Sequence, residues 1–167
     1  MFQPATRTLL ASSVRAAAPI NAFSRISTRN IITLKDVKYT ATATAQGAGR
    51  NGAVSSNGLD LNLALPKELG GTGQGENPEQ LFAMGYSACL LGAIQAVSKK
   101  LGKEEMAKNA IVDVSVHIGV PNELPGFGLA VDIKVKGIDD ELLQAGHAFC
   151  PYSRALSQGA VVKVTTA

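Results

Sequence analysis

Apolar and polar positions alternate with a period of two in several stretches and lose that alternation in others. Between Val37 and Gly47, Tyr39, Ala41, Ala43 and Ala45 interleave with Thr40, Thr42 and Thr44, the pattern of a strand with one half-polar face. Ala53–Ser56, the turn pair Asn57–Gly58 and the spaced leucines Leu59, Leu61, Leu63 and Leu65 read as a hairpin. A three-stranded meander is therefore predicted over roughly residues 37–65. Alternation returns in Ala110–Val120 and Phe127–Gly137, two strands joined by the turn "PNELPG", and a last strand is predicted for "AVVKVTT".

Between these runs the pattern is helical. From Gln80 to Ser98 there is no charge, and apolar residues occur all round, which predicts a helix buried on most sides. Its ends are well marked. Asn77 is a good N-cap, Pro78 suits the first helical position and Gln80 stands where a capping-box partner belongs. Lys99, Lys100 and Lys103 favour the negative end of the dipole, and Gly102 stops the helix. A second helix is predicted from Asp139 to about Phe149, capped by Asp139, and a short helical turn around Ser153–Ser157. No internal repeat is present.

The chain has 167 residues, enough for one ordinary domain, and its 46% apolar and 17% charged composition suits a buried core. No apolar run is expected to span a bilayer, since Leu81–Val97 is interrupted by Gly, Ser and Gln. The net charge of +3 is unevenly spread. Residues 1–31 carry Arg7, Arg15, Arg25 and Arg29 and no acid; without them the remainder has twelve basic residues against thirteen acids, a net −1. A near-neutral body has no general attraction for nucleic acid. The Arg-, Ser- and Ala-rich, acid-free beginning has the composition of a mitochondrial transit peptide, which leaves residues 32–167 as a single folded domain.

The glycine-rich stretch Pro66–Pro78 lacks the Gly-Lys-Ser/Thr ending of a phosphate loop and reads as a cover beside a site or as a connector. The two cysteines, Cys89 and Cys150, do not form a secreted disulfide framework; they are buried thiols or redox-active ones. Gly85, Cys89, Gly92 and Ala96 fall on one narrow stripe of the long helix, so Cys89 is either a small packing residue or a reagent. Glu79 lies ten positions before Cys89, which on a helix is roughly 15 Å along the axis and about 80° around it. Glu79 and Cys89 of one helix therefore cannot share a site. If both belong to one, the Glu comes from a second copy of the helix running antiparallel, with the stripe of small residues allowing the crossing. His147 precedes Cys150 by three, but two cysteines and one histidine make a poor zinc set. His117 lies in a strand with no evident partner, and Tyr152 either lines a pocket beside Cys150 or packs.

Taken together, "YTATATAQGAGRNG", "NPEQLFAMGYSACL" and "HAFCPYS" resemble, in order and over nearly the whole folded part, the organic hydroperoxide resistance proteins of the osmotically inducible protein C superfamily. The resemblance implies an intertwined α+β homodimer, antiparallel sheets packed around long central helices, with sites at the interface. It implies a thiol peroxidase in which Cys89 attacks the peroxide, Cys150 resolves, and Arg50 and Glu79 complete the site. It also implies organic hydroperoxides as substrates, no bound cofactor, and a lipoyl dithiol on a carrier protein as reductant. Two segments depart from the family pattern: Glu76 stands where a small hydroxyl residue is usual, and "SQGAVV" follows where "GN" is usual.

The chemistry suits those residue types. A thiolate attacks a peroxide and a thiol does not, and at pH ~7 only a few per cent of an ordinary cysteine is ionised. A guanidinium beside Cys89 would stabilise the thiolate and the departing alkoxide. Glu79 could hold that loop arginine in a bidentate pair, but a bare carboxylate beside the sulfur would raise its pKa, so Glu79 is expected to touch Arg50 more closely than Cys89. The uncharged run Leu81–Val97 predicts an apolar pocket wall that favours bulky or fatty-acid hydroperoxides over hydrogen peroxide. A non-enzymatic carrier of apolar ligands, or a redox sensor, is the alternative; a general thiol–disulfide oxidoreductase is disfavoured by the missing CxxC.

Overall fold

The computed structural model describes residues 31–166, so the candidate transit segment, but for its last residue, lies outside the described residues. The chain opens with an antiparallel meander, β1 (Thr44–Gln46), β2 (Ala53–Ser56) and β3 (Leu59–Asn62), with Ala45 opposite Val54 and Val54 opposite Leu61. A connector leads to the long helix α1 (Pro78–Leu101) and the short α2 (Glu104–Lys108). The hairpin β4 (Ile111–Gly119) and β5 (Gly128–Lys136) follows, then α3 (Asp140–Phe149) and α4 (Pro151–Gln158).

α1 begins and ends where its sequence dictates. The Asn77 side chain accepts from the Gln80 N–H while Gln80 Oε1 accepts from the Asn77 N–H, a complete capping box, and Gly102 closes the other end in the left-handed conformation at φ 63°. One face of α1 carries Tyr86, Leu90, Ala93, Ile94 and Ser98 into the core. Val112 and Val114 of β4 and Val131, Ile133 and Val135 of β5 meet it from the sheet, and Leu142 meets it from α3. Leu90, Ile94, Leu142 and Cys150 are the largest side chains sealed there, each of the three aliphatic ones contributing about 1.5–3 kcal/mol by its burial. α3 crosses α1 closely. A Cβ on Gly146 would fall 2.4 Å from Ile94 Cγ1, so only glycine fits. Lys103 ties the C-terminal end of α1 to α3 through Asp139 at 2.7 Å and Glu141 at 2.5 Å.

The structure departs from the sequence expectations in six places. The long helix is not buried on most sides: the sheet and α3 cover one face, and Met84, Ala88, Gly92, Gln95 and Ala96 remain exposed. It is also long and apolar enough, by length and composition, to cross a bilayer, because the Gly, Ser and Gln interruptions lower its mean hydropathy too little. The first strand pairs only over Thr44–Gln46; Val37–Ala43 has no strand partner among the described residues. "AVVKVTT" forms no strand for the same reason, making only an isolated bridge between Ala160 and Ile32. Finally, α2 has no counterpart among the expected elements, and His117, expected to be without a partner, lies 3.2 Å from Asp132 across the β4–β5 pair.

Candidate active site

The four candidate residues form two pairs at different levels of α1. The first pair is ionic. Arg50 sits in a one-turn 3-10 helix, Gly49–Asn51, between β1 and β2. Gly47 and Gly49 adopt positive φ there, and a Cβ on Gly52 would fall 2.2 Å from the Gln46 carbonyl oxygen, so the turn is too tight for other residues. Asn51 fixes it further by accepting from the Leu65 N–H at 2.9 Å. The glycine-rich stretch proves to be a tied connector rather than a loose cover. Ala64 N–H donates to the Glu76 carbonyl, Glu76 N–H to that of Asn62, and Gly73 N–H to that of Leu65, so the connector runs back along the end of β3. Thus clamped, it delivers Asn77, and Glu79 behind it, to the Arg50 turn. Both guanidinium nitrogens donate to the two carboxylate oxygens of Glu79, at 2.7 and 2.5 Å. Those hydrogen bonds hold the Glu79 carboxyl below the usual carboxylate range, against a weaker opposing effect of burial. Glu79 is 13% exposed and Arg50 37%, so the guanidinium keeps an open side.

The second pair is sulfur. Cys89 is half-buried midway along α1. Cys150 is fully buried at the junction of α3 and α4, where its N–H donates to the Gly146 carbonyl and its carbonyl accepts from the Arg154 N–H. The two Sγ atoms stand 3.5 Å apart, although 61 positions separate them in the chain. Around them lies an aromatic cluster: Tyr152 stacks on Phe82 with ring centres 6.0 Å apart and meets Tyr86 at 5.8 Å. Gly85, one turn before Cys89, makes room for the Tyr152 ring, which a Cβ there would meet at 3.3 Å. Tyr152 thus packs against Phe82 and Tyr86 while 39% of it stays exposed. An apolar groove of about 360 Å³ runs beside the cluster between Phe82, Tyr86, Val131, Ile133 and Leu156, with His147 at its rim.

The two thiols differ electrostatically. Burial pushes the Cys89 thiol up, and the neighbouring Cys150 adds to this against a counteracting Tyr152 N–H. Burial also disfavours a charge on Cys150, but the N–H groups of Ser153 and Tyr152, the Ser153 hydroxyl and Cys89 together outweigh it and bring that thiol down. At this separation the two thiols titrate together, and the first proton lost belongs to the pair. Arg50 has no part in either shift. The geometry agrees with the helical argument: the ion pair at the start of α1 and the sulfurs ten residues on are separate in one chain. Sequence reasoning missed the contribution of Tyr86 and Ser153, whose hydroxyls meet at 2.9 Å in the core beside Cys150. Among the described residues, no three His, Cys, Asp or Glu side chains gather as a metal site.

Residues 71–165 match the OsmC-like protein family. The chain is 44% identical over 140 residues to the organic hydroperoxide resistance protein of Xanthomonas axonopodis pv. citri, covering 78% of this chain and 96% of that one. Among solved structures, that of an organic hydroperoxide resistance protein from Legionella pneumophila is similar, with a TM-score of 0.64 and 38% identity over 77% of this chain and 96% of that one. The OhrB protein of Bacillus subtilis gives a TM-score of 0.61 and 37% identity over 75% and 96%. With three motif blocks, the α+β architecture and these likenesses in agreement, the chain belongs to the OsmC-like family, among its organic hydroperoxide resistance proteins.

Proposed function

We propose that this protein is a cysteine peroxidase that reduces organic hydroperoxides to alcohols. The observation that carries the reading is the 3.5 Å approach of Cys89 and Cys150. The Cys89 thiolate attacks one peroxide oxygen, the O–O bond breaks, and the alkoxide leaves and takes up a proton to become the alcohol. Cys89 is left as a sulfenic acid. The Cys150 thiolate then attacks that sulfur; the S–S bond forms, the S–O bond breaks, and hydroxide departs as water. Little motion is needed, because the sulfurs already face each other. An external dithiol restores both thiols by exchange and leaves as its own disulfide. Dihydrolipoamide on a lipoylated carrier is the reductant of choice, and a mitochondrial location, proposed from the acid-free first 31 residues, would bring the protein to such carriers.

The complete site is proposed to need a homodimer. In one protomer burial raises the Cys89 thiol, and no cation among the described residues lowers it. A second copy, its α1 antiparallel along the exposed face at Gly92 and Ala96, would present its Arg50–Glu79 pair to Cys89. The aromatic cluster and apolar groove suit bulky or fatty-acid hydroperoxides better than hydrogen peroxide. Mass spectrometry after one equivalent of an alkyl hydroperoxide tests the reading. A Cys89–Cys150 disulfide with alcohol released is expected; two unchanged thiols would overturn it in favour of an apolar-ligand carrier. Turnover with dihydrolipoamide against thioredoxin identifies the reductant.

A further inference from the structure

The apolar groove beside the sulfurs has one polar side chain that nothing in the protein engages. Its walls are Phe82 of α1, Leu129, Val131 and Ile133 of β5, and Leu156 of α4, and it measures about 360 Å³, the size of a small-molecule site. Three hydroxyls also line it, and each is bonded inside the protein. Tyr86 donates to Ser153 Oγ at 2.9 Å, and Ser157 Oγ donates to the Ser153 carbonyl at 2.8 Å. His147 is different. It lines the same groove, is exposed, and makes no hydrogen bond or ion pair among the described residues. No carboxylate among the described residues lines the groove, so the imidazole has no counter-charge there. Groove and sulfurs share their supports. Tyr86 and Phe82 stand three and seven positions before Cys89, about one and two turns back along α1, and His147 stands three before Cys150 on α3. An apolar trough with a single imidazole at its rim complements a molecule with a long hydrocarbon body and an anionic head. The ring N–H donates to a carboxylate, and the carboxylate in turn favours the protonated ring.

We propose that His147 is the specificity-determining residue of this groove: it takes the carboxylate of a free long-chain hydroperoxy fatty acid, whose hydrocarbon body lies along Phe82, Val131, Ile133 and Leu156. The inference rests on the peroxidase reading above and narrows its substrate, from bulky hydroperoxides in general to those that carry a free acid. The chemistry at the sulfurs is unchanged: Cys89 attacks the peroxide oxygen, and His147 takes no part in that step. Anchoring one end limits how far the chain slides, which keeps a hydroperoxide partway along it in the neighbourhood of Cys89. An acyl chain held in an ester offers the groove hydrocarbon alone and has no such anchor. Because His147 is exposed, its pairing has the strength of an ion pair in contact with water, a few-fold in affinity and no more.

The test measures kcat/KM of the full chain for three substrates, the hydroperoxide of linoleic acid, that of methyl linoleate, and cumene hydroperoxide, in wild type, His147→Leu and His147→Lys. Leu and Lys are both good helix formers and suit an exposed position on α3. Wild type is expected to prefer the acid to the ester by about three- to fivefold. His147→Leu should bring that ratio to about one through loss on the acid alone, and His147→Lys, which restores a cation, should keep it. Cumene hydroperoxide, with no acid to anchor, should stay within about twofold of wild type in both variants. A wild type that does not tell acid from ester overturns the proposal, as does a His147→Leu that keeps the preference or slows all three substrates alike. Equilibrium binding of linoleic acid and methyl linoleate, which carry no peroxide, read by tyrosine fluorescence, repeats the comparison without turnover. A wild type inert toward all three hydroperoxides sinks the peroxidase reading; if it still binds the acid more tightly than the ester through His147, the anchor stands and the protein is a carrier. A wild type that turns over cumene hydroperoxide and shows no acid preference sinks only the anchor.

Discussion

The sulfur pair and the ion pair are held in place by opposite means. Cys89 and Cys150 are fixed by packing: α3 lies against α1 so closely that Gly146 admits no side chain, and Cys150 is fully buried. Arg50 and Glu79 are fixed by backbone hydrogen bonds of turns and connectors and by their own bidentate contact, with the guanidinium partly in solvent. The two sulfurs thus sit in the packed core, and the charge proposed to activate them sits on a hydrogen-bonded turn at its edge. The sulfur pair should therefore fail by losing its fold, and the ion pair by losing its charge or its reach.

Removing the nucleophile gives the largest effect. Cys89→Ser should lower alkyl hydroperoxide turnover by at least ~10³-fold with an unchanged thermal midpoint, since the hydroxyl is a far weaker nucleophile of similar size. Arg50→Ala should cost about 10²-fold in kcat/KM, typical of one lost charge-stabilising donor, and raise the pH at which Cys89 is alkylated by iodoacetamide. Mixing these two inactive variants sharpens the comparison. If Arg50 acts across a dimer, a mixed pair holds one intact site of two, and activity should recover toward roughly half per mixed dimer. No recovery after subunit exchange would place the guanidinium and the sulfur in one chain. Gly146→Val attacks the other region: it should destabilise by about 1–3 kcal/mol through overpacking at Ile94, read as a lower denaturation midpoint, and leave the Arg50 turn intact.

The smallest effect is acid sensitivity of the ion pair. Because Arg50 holds the Glu79 carboxyl below its unfolded value, the pair's stabilisation is fully present above the ordinary carboxylate range and is lost as pH falls through the lowered folded value. With Arg50 37% exposed, that contribution is below about 1 kcal/mol, so the loss should appear as a shallow acid-side fall in stability absent from Glu79→Gln.

Much of the fold and of the site is legible in the amino-acid sequence itself. The capping box and terminal glycine bound α1, and alternation bounds β4 and β5 nearly to the residue. The bidentate Arg50–Glu79 contact follows from the electrostatic argument that a carboxylate belongs on the guanidinium and not beside the sulfur. Segments whose pattern is right but which find no partner among the described residues are not legible in this way. Val37–Ala43 and Val161–Thr166 alternate or run apolar as strands do, yet a strand exists only when a second backbone accepts its hydrogen bonds. The same holds for the outer face of α1, apolar in sequence and bare in the protomer. The Tyr86–Ser153 contact is hidden for another reason: 67 positions separate the two hydroxyls, and no local spacing reports such a meeting.

In the proposed dimer, the uncovered side of α1, with Gly92 open to space, would tie chemical competence to protein concentration. If that side is where two chains meet, specific activity obeys mass action and falls once the enzyme is diluted below its own dissociation constant. A lone chain would then circulate as a slow thiol, and pairing would act as the switch that arms it.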